Sequence, residues 1–225
     1  MEQVHSDRLH LGCGLTSPPG WLNVDGSWQV ELANRPRLRN LLVKTRILPQ
    51  HRADIPWGKG IRRLDLRDPL PFPDGSFGAI YTSHALEHLY QAQAVELLGE
   101  CVRVLRPGGV LRVVVPDLHA CVERYLAAKG RGDSAAADRL MEQLCFYDRS
   151  AGAGVMGLYY RLTSFHQHKW MYDIESLLPA LRKAGLAQVE ACGILESRIA
   201  EISEVEDPTR IANGEGIVGE GIKPS

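Results

Sequence analysis

Short apolar runs along the chain alternate with longer segments in which apolar residues recur at helical intervals. Seven such runs predict strands, at residues 8–11, 22–24, 61–66, 77–83, 110–115, 188–193 and 216–222. The run at 110–115 is almost entirely β-branched and apolar, which is typical of a strand covered on both faces of a parallel sheet. We therefore expect it to be a central strand.

The segments between these runs predict helices. Apolar residues fall at helical spacing over 30–48, where Pro36 divides the segment, and again over 91–105. Residues 106–109, with the sequence Arg-Pro-Gly-Gly, predict a sharp turn after the second of these helices. The prolines of residues 67–75 exclude a helix there and indicate a turn-rich connection.

The carboxyl-terminal half continues the alternation. Residues 118–147 have a helical pattern with a break at 130–132, and Asp173 caps a helix that stops at Gly185. Such alternation predicts an α/β fold, a doubly wound and mostly parallel sheet with helices on both faces. Its ligand site is expected beyond the carboxyl ends of the strands.

Length and charge narrow the class of protein. A chain of 225 residues suits one domain, and we expect insertions at about 27–60 and 118–170 to form a cap over its site. Lys and Arg number 26 against 27 Asp and Glu, which gives a net charge of −1. Duplex-binding domains usually carry a clear basic excess, so nucleic acid is not the expected partner.

The cysteines and the amino-terminal residues indicate the cellular compartment in which the protein is expected. The five cysteines are widely spaced and form no Cys-x-x-Cys pair, which indicates reduced thiols rather than zinc or disulfide chemistry. Residues 1–8 lack the apolar stretch of a secretion signal, and no apolar run approaches about 18 residues. We expect a cytoplasmic protein without a membrane span; association into a homodimer stays open.

A glycine turn follows the first predicted strand. Gly12-Cys13-Gly14 can let a ligand approach the backbone, although a plain tight turn explains it equally well. Asp25 ends the next strand and would lie beside that turn in a doubly wound sheet, where its carboxylate can accept hydrogen bonds from ribose hydroxyls. The alternative for Asp25 is turn chemistry with Gly26 and Ser27, and we favour ribose binding over it.

A nicotinamide cofactor is disfavoured. Its fingerprint requires Gly-x-Gly-x-x-Gly, but the sixth position here is Ser17, and Pro18 and Pro19 prevent a helix from beginning cleanly after the turn.

Several motifs taken together resemble the class I S-adenosylmethionine-dependent methyltransferases, most closely a bacterial small-molecule subgroup of the methyltransferase type 11 kind. They are the glycine turn of residues 9–14, Asp25, the segments 65–66 and 70–77, the sequence Ser-His-Ala-Leu-Glu-His-Leu at 83–89, and Val-Leu-Arg-Pro-Gly-Gly at 104–109. The resemblance implies a Rossmann-like, seven-stranded methyltransferase fold with a terminal antiparallel hairpin. The usual helix between the glycine turn and the second strand is missing, a shortening that the subgroup shares.

The resemblance also implies the residues that bind S-adenosylmethionine and its product S-adenosylhomocysteine. Residues 11–14 (Leu11, Gly12, Cys13 and Gly14) would line the methionine moiety, and Asp25 with Gly26 would hold the ribose. Asp65 and Leu66 would flank the adenine, and Ser83 and His84 would close the pocket. Asp65 suits this role because its carboxylate can accept a hydrogen bond from an exocyclic amine.

Histidines are the candidates for a general base. His84 and His88 are four residues apart and would share one helix face at the mouth of the site. His166 and His168 could reach the site from the cap. A metal site built from His84, Glu87 and His88, which His166 and His168 could join, is conceivable, but we expect none. Glu87 would instead accept backbone hydrogen bonds at a helix start.

The predicted function is methyl transfer from S-adenosylmethionine to a small-molecule acceptor, a sugar or natural product, at oxygen. The alternative from another class is a non-catalytic module that binds S-adenosylmethionine or S-adenosylhomocysteine, because fold alone does not exclude it. Turnover with labelled cofactor distinguishes the two.

Overall fold

The computed structural model describes residues 6–144 and 167–225. Its strands form one sheet in the order β3-β2-β1-β4-β5-β7-β6. Strand β7 runs antiparallel to both of its neighbours, and the other pairings are parallel, which confirms the predicted doubly wound sheet with a terminal hairpin. The strands are β1 (Arg8–Leu11), β2 (Trp21–Asp25), β3 (Arg62–Arg63), β4 (Phe77–Ser83), β5 (Leu105–Pro116), β6 (Ala187–Ala191) and β7 (Gly216–Ile222).

Helices occupy most of the predicted connections. They are α1 (Trp28–Ala33), α2 (Pro36–Lys44), α3 (Gln50–Ala53), α4 (Gln91–Val104), α5 (Leu118–Gly130), α6 (Ala136–Gln143) and α7 (Ile174–Lys183). Pro36 is the first residue of α2, a position at which its missing amide hydrogen costs nothing. Asp173 caps α7 in a capping box with Ser176, as predicted.

One face of the sheet is covered by α4 and α7. Every second residue of the strands points to this face, and the cluster they form with the two helices includes Leu9, Ile80, Leu111, Leu98 and Leu181. All of these side chains are at most 2% exposed. This large apolar cluster is the core of the domain.

The other face is covered by an irregular segment between β6 and β7. Ile199, Ile202, Val205 and Ile211 of this segment pack against sheet residues that include Tyr81. The only helical elements assigned between residues 192 and 215 are short 3-10 turns. The segment therefore covers sheet surface beside the short β1–β2 connection, in which no helix is assigned.

Arg112 fastens this segment to the sheet. It lies between Val110 and Val114 on β5 and is fully buried. Its guanidinium binds both carboxylate oxygens of Glu206 at 2.6 and 2.9 Å and contacts Glu220 at 3.3 Å. Such bidentate, charge-assisted contacts are the strong class of hydrogen bonds.

One local prediction was wrong. Strand β3 covers two residues rather than 61–66, and Ile61 and Leu66 are buried or partly buried from loops. The chain bends sharply at residues 106–109 as predicted: β4 pairs at Phe77 with Leu105 and at Ala79 with Val110, so these four residues have no partner in β4, and Gly108 has a φ of +78°. Helices α1 to α3 lie within residues 27–60, between β2 and β3, and their part in a cap stays a prediction.

Candidate functional site

The sheet brings three loops to one edge. Leu11 is paired with Val24 of β2 and with Thr82 of β4, so the following residues, Gly12, Asp25 and Ser83, lie side by side at the carboxyl ends of three adjacent strands. Strand order reverses here, since the chain leaves β1 toward β2 and leaves β4 toward β5. In doubly wound folds such a switch point forms the ligand crevice.

The two glycines of the turn after β1 have different surroundings. Gly12 has a φ of +65°, and a Cβ atom built on it would lie 2.7 Å from the Cβ of Ala85. Gly14 has a φ of +54° with open space around it. Gly12 therefore permits close packing within the protein, whereas Gly14 leaves room beside the backbone for a ligand.

Two of the predicted lining residues point elsewhere. The Leu11 side chain is fully buried in the main core. The Cys13 side chain packs in an apolar cluster with Val30 and Ile61, and burial raises the pKa of its thiol to about 12. A ligand at this turn would therefore meet these two residues through their backbone, and their part in lining the methionine moiety stays a prediction.

Asp25 lies where the sequence predicted it. Its carboxylate accepts a hydrogen bond from the Gly14 amide at 2.9 Å and another from the Ser27 amide at 2.8 Å. An ionised carboxylate offers about four lone-pair sites, so both oxygens keep capacity for further donors such as two adjacent hydroxyls. The contact between the end of β2 and the turn after β1 is thus confirmed.

The loop after β3 adds Asp65 and Leu66. Arg67 binds the Asp65 carboxylate through its Nε and Nη2 atoms at 2.9 and 2.5 Å, and this hydrogen bonding lowers the pKa of Asp65. Leu66 packs on the main core close to Gly12. The Gly26 backbone lies against the Leu64 carbonyl. Asp65 is already paired, so an exocyclic amine would share it with Arg67.

A cavity opens beside the glycine turn on the face covered by the irregular segment. It is lined by His10, Gly12, Cys13, Thr16, Tyr81, Ser83, Val205, Asp207 and Arg210. Burial lowers the pKa of His10 to about 4, and it raises the pKa of Tyr81 to about 12, so both are neutral near pH 7. The predicted residues Gly12, Cys13 and Ser83 meet here.

The sequence analysis did not predict three polar residues that line this cavity, His10, Asp207 and Arg210. His10 alternates with Leu9 and Leu11 in β1, and this period of two was the available signal that it faces away from the main core. No local pattern indicated Asp207 or Arg210, because they reach the site from a segment far along the chain.

Histidines surround Glu87 in the loop after β4. Glu87 is fully buried, and its Oε1 atom lies 3.4 Å from Nδ1 of His84, 3.9 Å from Nε2 of His88 and 3.9 Å from Nε2 of His168. The other ring nitrogens of His84 and His88 lie 3.2 Å from the carbonyl oxygens of Arg210 and Gln167. Burial lowers the pKa of His168.

This arrangement corrects two predictions. Residues 86–88 form one 3-10 turn, and His84 precedes it with a φ of +52°, so His84 and His88 do not share an α-helical face. The Glu87 carboxylate accepts no hydrogen bond from any residue that the structure describes, including the backbone amides of the 3-10 turn, so it does not anchor a helix start. The two histidines meet around Glu87 instead. His166, the third predicted base, lies outside the described residues, as do residues 145–166 of the predicted cap at 118–170.

The fold and the loops at its switch point define a Rossmann-like α/β domain of the class I methyltransferase type. Residues 9–113 match the family model described as a methyltransferase domain, and this match supports a class I S-adenosylmethionine-dependent methyltransferase.

Curated relatives match over a short region. A probable S-adenosylmethionine-dependent methyltransferase of Mycolicibacterium smegmatis is 45% identical over 60 residues, which are 24% of this chain and 22% of the relative. An uncharacterized methyltransferase of Synechocystis is 41% identical over 54 residues, 24% of each protein. These matches span less than a quarter of either relative's length. A solved SAM-dependent methyltransferase from Archaeoglobus fulgidus is 16% identical with a TM-score of 0.46, covering 96% of this chain and 85% of that one.

Within residues 6–144 and 167–225, no helix combines the length and apolar character needed to cross a bilayer.

Proposed function

We propose that the protein transfers a methyl group from S-adenosylmethionine to an oxygen atom of a small-molecule acceptor, a sugar or a natural product. The observation that carries the proposal is the Asp25 carboxylate, held by the Gly14 amide at the switch point of the sheet with lone pairs to spare. Asp25 would accept the two ribose hydroxyls, and the open side of Gly14 would take the methionine part.

The remaining loops suit the rest of the cofactor. Leu66 offers an apolar surface beside the glycine turn, and the Asp65–Arg67 pair offers both an acceptor and a donor for the edge of the purine. The bound cofactor supplies the activated methyl group, because its sulfonium is the leaving group. The chain chiefly has to align the acceptor oxygen with that methyl group and exclude water.

The acceptor would enter through the cavity walled by His10, Tyr81, Asp207 and Arg210, which borders Gly12 and Ser83. Neutral and charged polar groups on a concave surface suit a hydroxylated molecule. When the acceptor oxygen forms its bond to the methyl carbon, its proton would pass to a histidine after β4, His84 or His88. His166 stays a prediction for the same role.

Calorimetry with S-adenosylmethionine tests the cofactor site. We expect one cofactor per chain for the native protein and binding weaker by at least about tenfold for Asp25→Asn, because hydrogen bonds to a charged group contribute about 1.5–3 kcal/mol. Asp54→Asn is the matched control, since it removes the same charge from an exposed helix end. Native protein that fails to bind the cofactor, or equal affinities for the two variants, would contradict the proposal.

Transfer is measured with cofactor labelled in its methyl group and a panel of sugars and phenols. Label recovered on the acceptor, together with stoichiometric S-adenosylhomocysteine, supports methyl transfer. Tight cofactor binding without product across the panel favours the non-catalytic binding module instead.

A further inference from the structure

Glu87 is a buried carboxylate that has no hydrogen-bond partner in the described part of the chain. Its side chain is 0% exposed, and neither oxygen accepts a hydrogen bond from residues 6–144 or 167–225. A bare carboxylate inside a protein is costly, so such groups are normally paired or coordinate metal ions. The loop after β4 therefore holds a buried carboxyl group that a bound cation would satisfy.

Imidazole nitrogens converge on this carboxylate. Ligand atoms of Glu87, His88 and His168 all lie within 4.8 Å of one another. In a tetrahedral zinc site with bonds of about 2.0–2.2 Å, neighbouring donor atoms are separated by roughly 3.3 Å. The 3.9 Å distances from Glu87 Oε1 to the two histidines need only a small inward movement to reach that geometry.

The backbone holds the two halves of the cluster together. The amides of Lys169 and Trp170 donate to the Glu87 carbonyl at 2.7 and 3.2 Å, which places the segment carrying His168 against the loop after β4. His88 directs its Nδ1 atom to the Gln167 carbonyl and its Nε2 atom toward Glu87. Histidine ligands in metal sites are usually oriented by such a bond from the second ring nitrogen.

We propose that Glu87, His88 and His168 bind a divalent transition-metal ion of the zinc type. Two imidazoles and one carboxylate suit zinc, whereas magnesium and calcium prefer sets made only of oxygen atoms. Three protein ligands leave one coordination position for water or an oxygen atom of a bound molecule. This assignment departs from the sequence-based expectation of no metal, in which His168 was considered only as an additional ligand to His84, Glu87 and His88.

The site borders the cofactor crevice but does not depend on the proposed methyl transfer. Ala85, two residues before Glu87, lies against Gly12 of the glycine turn. A metal ion at Glu87 would occupy the Nε2 lone pair of His88 and remove that residue from the candidate bases. His84 would then be the base candidate left among the described residues that the sequence singled out for that role.

Zinc titration of the chelator-treated full chain tests the assignment by calorimetry. We expect one zinc ion per native chain, no binding of magnesium at the same concentration, and affinity lower by more than about 100-fold in His168→Gln. His119→Gln is the matched control, because His119 also lies near a carboxylate, that of Glu123 at 3.2 Å, but both side chains are 68% exposed. This control should bind zinc as the native chain does.

Cobalt substitution gives a second readout. Native chain loaded with Co²⁺ should show the visible bands of a four-coordinate ion, and Glu87→Gln should lose them, which keeps the test available if His168→Gln does not fold. Absence of zinc binding by the native chain, or equal binding by His168→Gln and His119→Gln, would overturn the proposal. Cofactor calorimetry on the metal-free chain reports separately on the proposed function.

Discussion

The strongest single test of the fold concerns Arg112. Replacing it with Met keeps a long side chain in β5 but removes the guanidinium that holds the irregular segment against the sheet. The substitution leaves the Glu206 and Glu220 carboxylates, both buried, without this cation. It also removes the donors to the carbonyl oxygens of Gly193 and Glu196, at 2.9 and 2.7 Å.

The expected cost follows from burial. Removing one partner of a buried ion pair costs about 3–5 kcal/mol, because the opposite charge stays buried without compensation. Other partners of the two carboxylates, such as the Leu195 and Arg198 amides, keep the loss within that range. Domains of this kind are stable by about 5–15 kcal/mol, so Arg112→Met should lose a large share of the free energy of unfolding.

Urea unfolding measures this loss, with Arg139→Met as the control. Arg139 forms an ion pair with Asp133 in which its side chain is 49% exposed, and exposed pairs contribute about 0–1 kcal/mol. Hydrogen exchange should also show that residues 193–206 lose protection in Arg112→Met. A loss below about 1 kcal/mol, equal to that of the control, would refute the reasoning that Arg112 holds the segment in place.

Three further predictions concern β1, its turn and a helix cap. Because burial lowers the pKa of His10 from 6.5 to about 4, the unfolded chain takes up a proton that the folded one excludes, and stability should fall by about 3 kcal/mol between pH 6.5 and 4. Urea titrations of His10→Gln across that range should show correspondingly less loss; an unchanged pH dependence would contradict this. Gly12→Ala should lower the urea midpoint more than Gly14→Ala, because a Cβ atom at residue 12 meets Ala85 whereas one at residue 14 meets nothing. Adding Ala85→Gly to Gly12→Ala should restore part of the lost midpoint. Equal midpoints would count against the close contact. Asp173→Ala should cost about 1 kcal/mol by thermal unfolding, while Asp173→Asn, which keeps a cap acceptor, should cost less.

Much of the fold could be predicted from local pattern. Strand β4 covers residues 77–83 as predicted, and helix α4 ends one residue before the predicted boundary. Both depend on the periodicity of apolar residues and on local stop signals, which the sequence displays directly. The contact between Gly14 and Asp25 could also be predicted from local pattern. Both residues follow the ends of predicted strands, and the loops after neighbouring parallel strands lie side by side.

The rest depended on contacts between distant parts of the chain. The sequence by itself determined the alternation of strands and helices, the glycine turn and Asp25, since these follow from spacing along the chain. Only the tertiary structure decided that Arg112 binds Glu206, that Arg210 walls the cavity and that His168 meets Glu87. Polar groups so far apart along the chain produce no periodic pattern in the sequence. Their pairing is favoured because burying a charged or hydrogen-bonding group without a partner is costly, and that cost arises only once the chain has folded around the group.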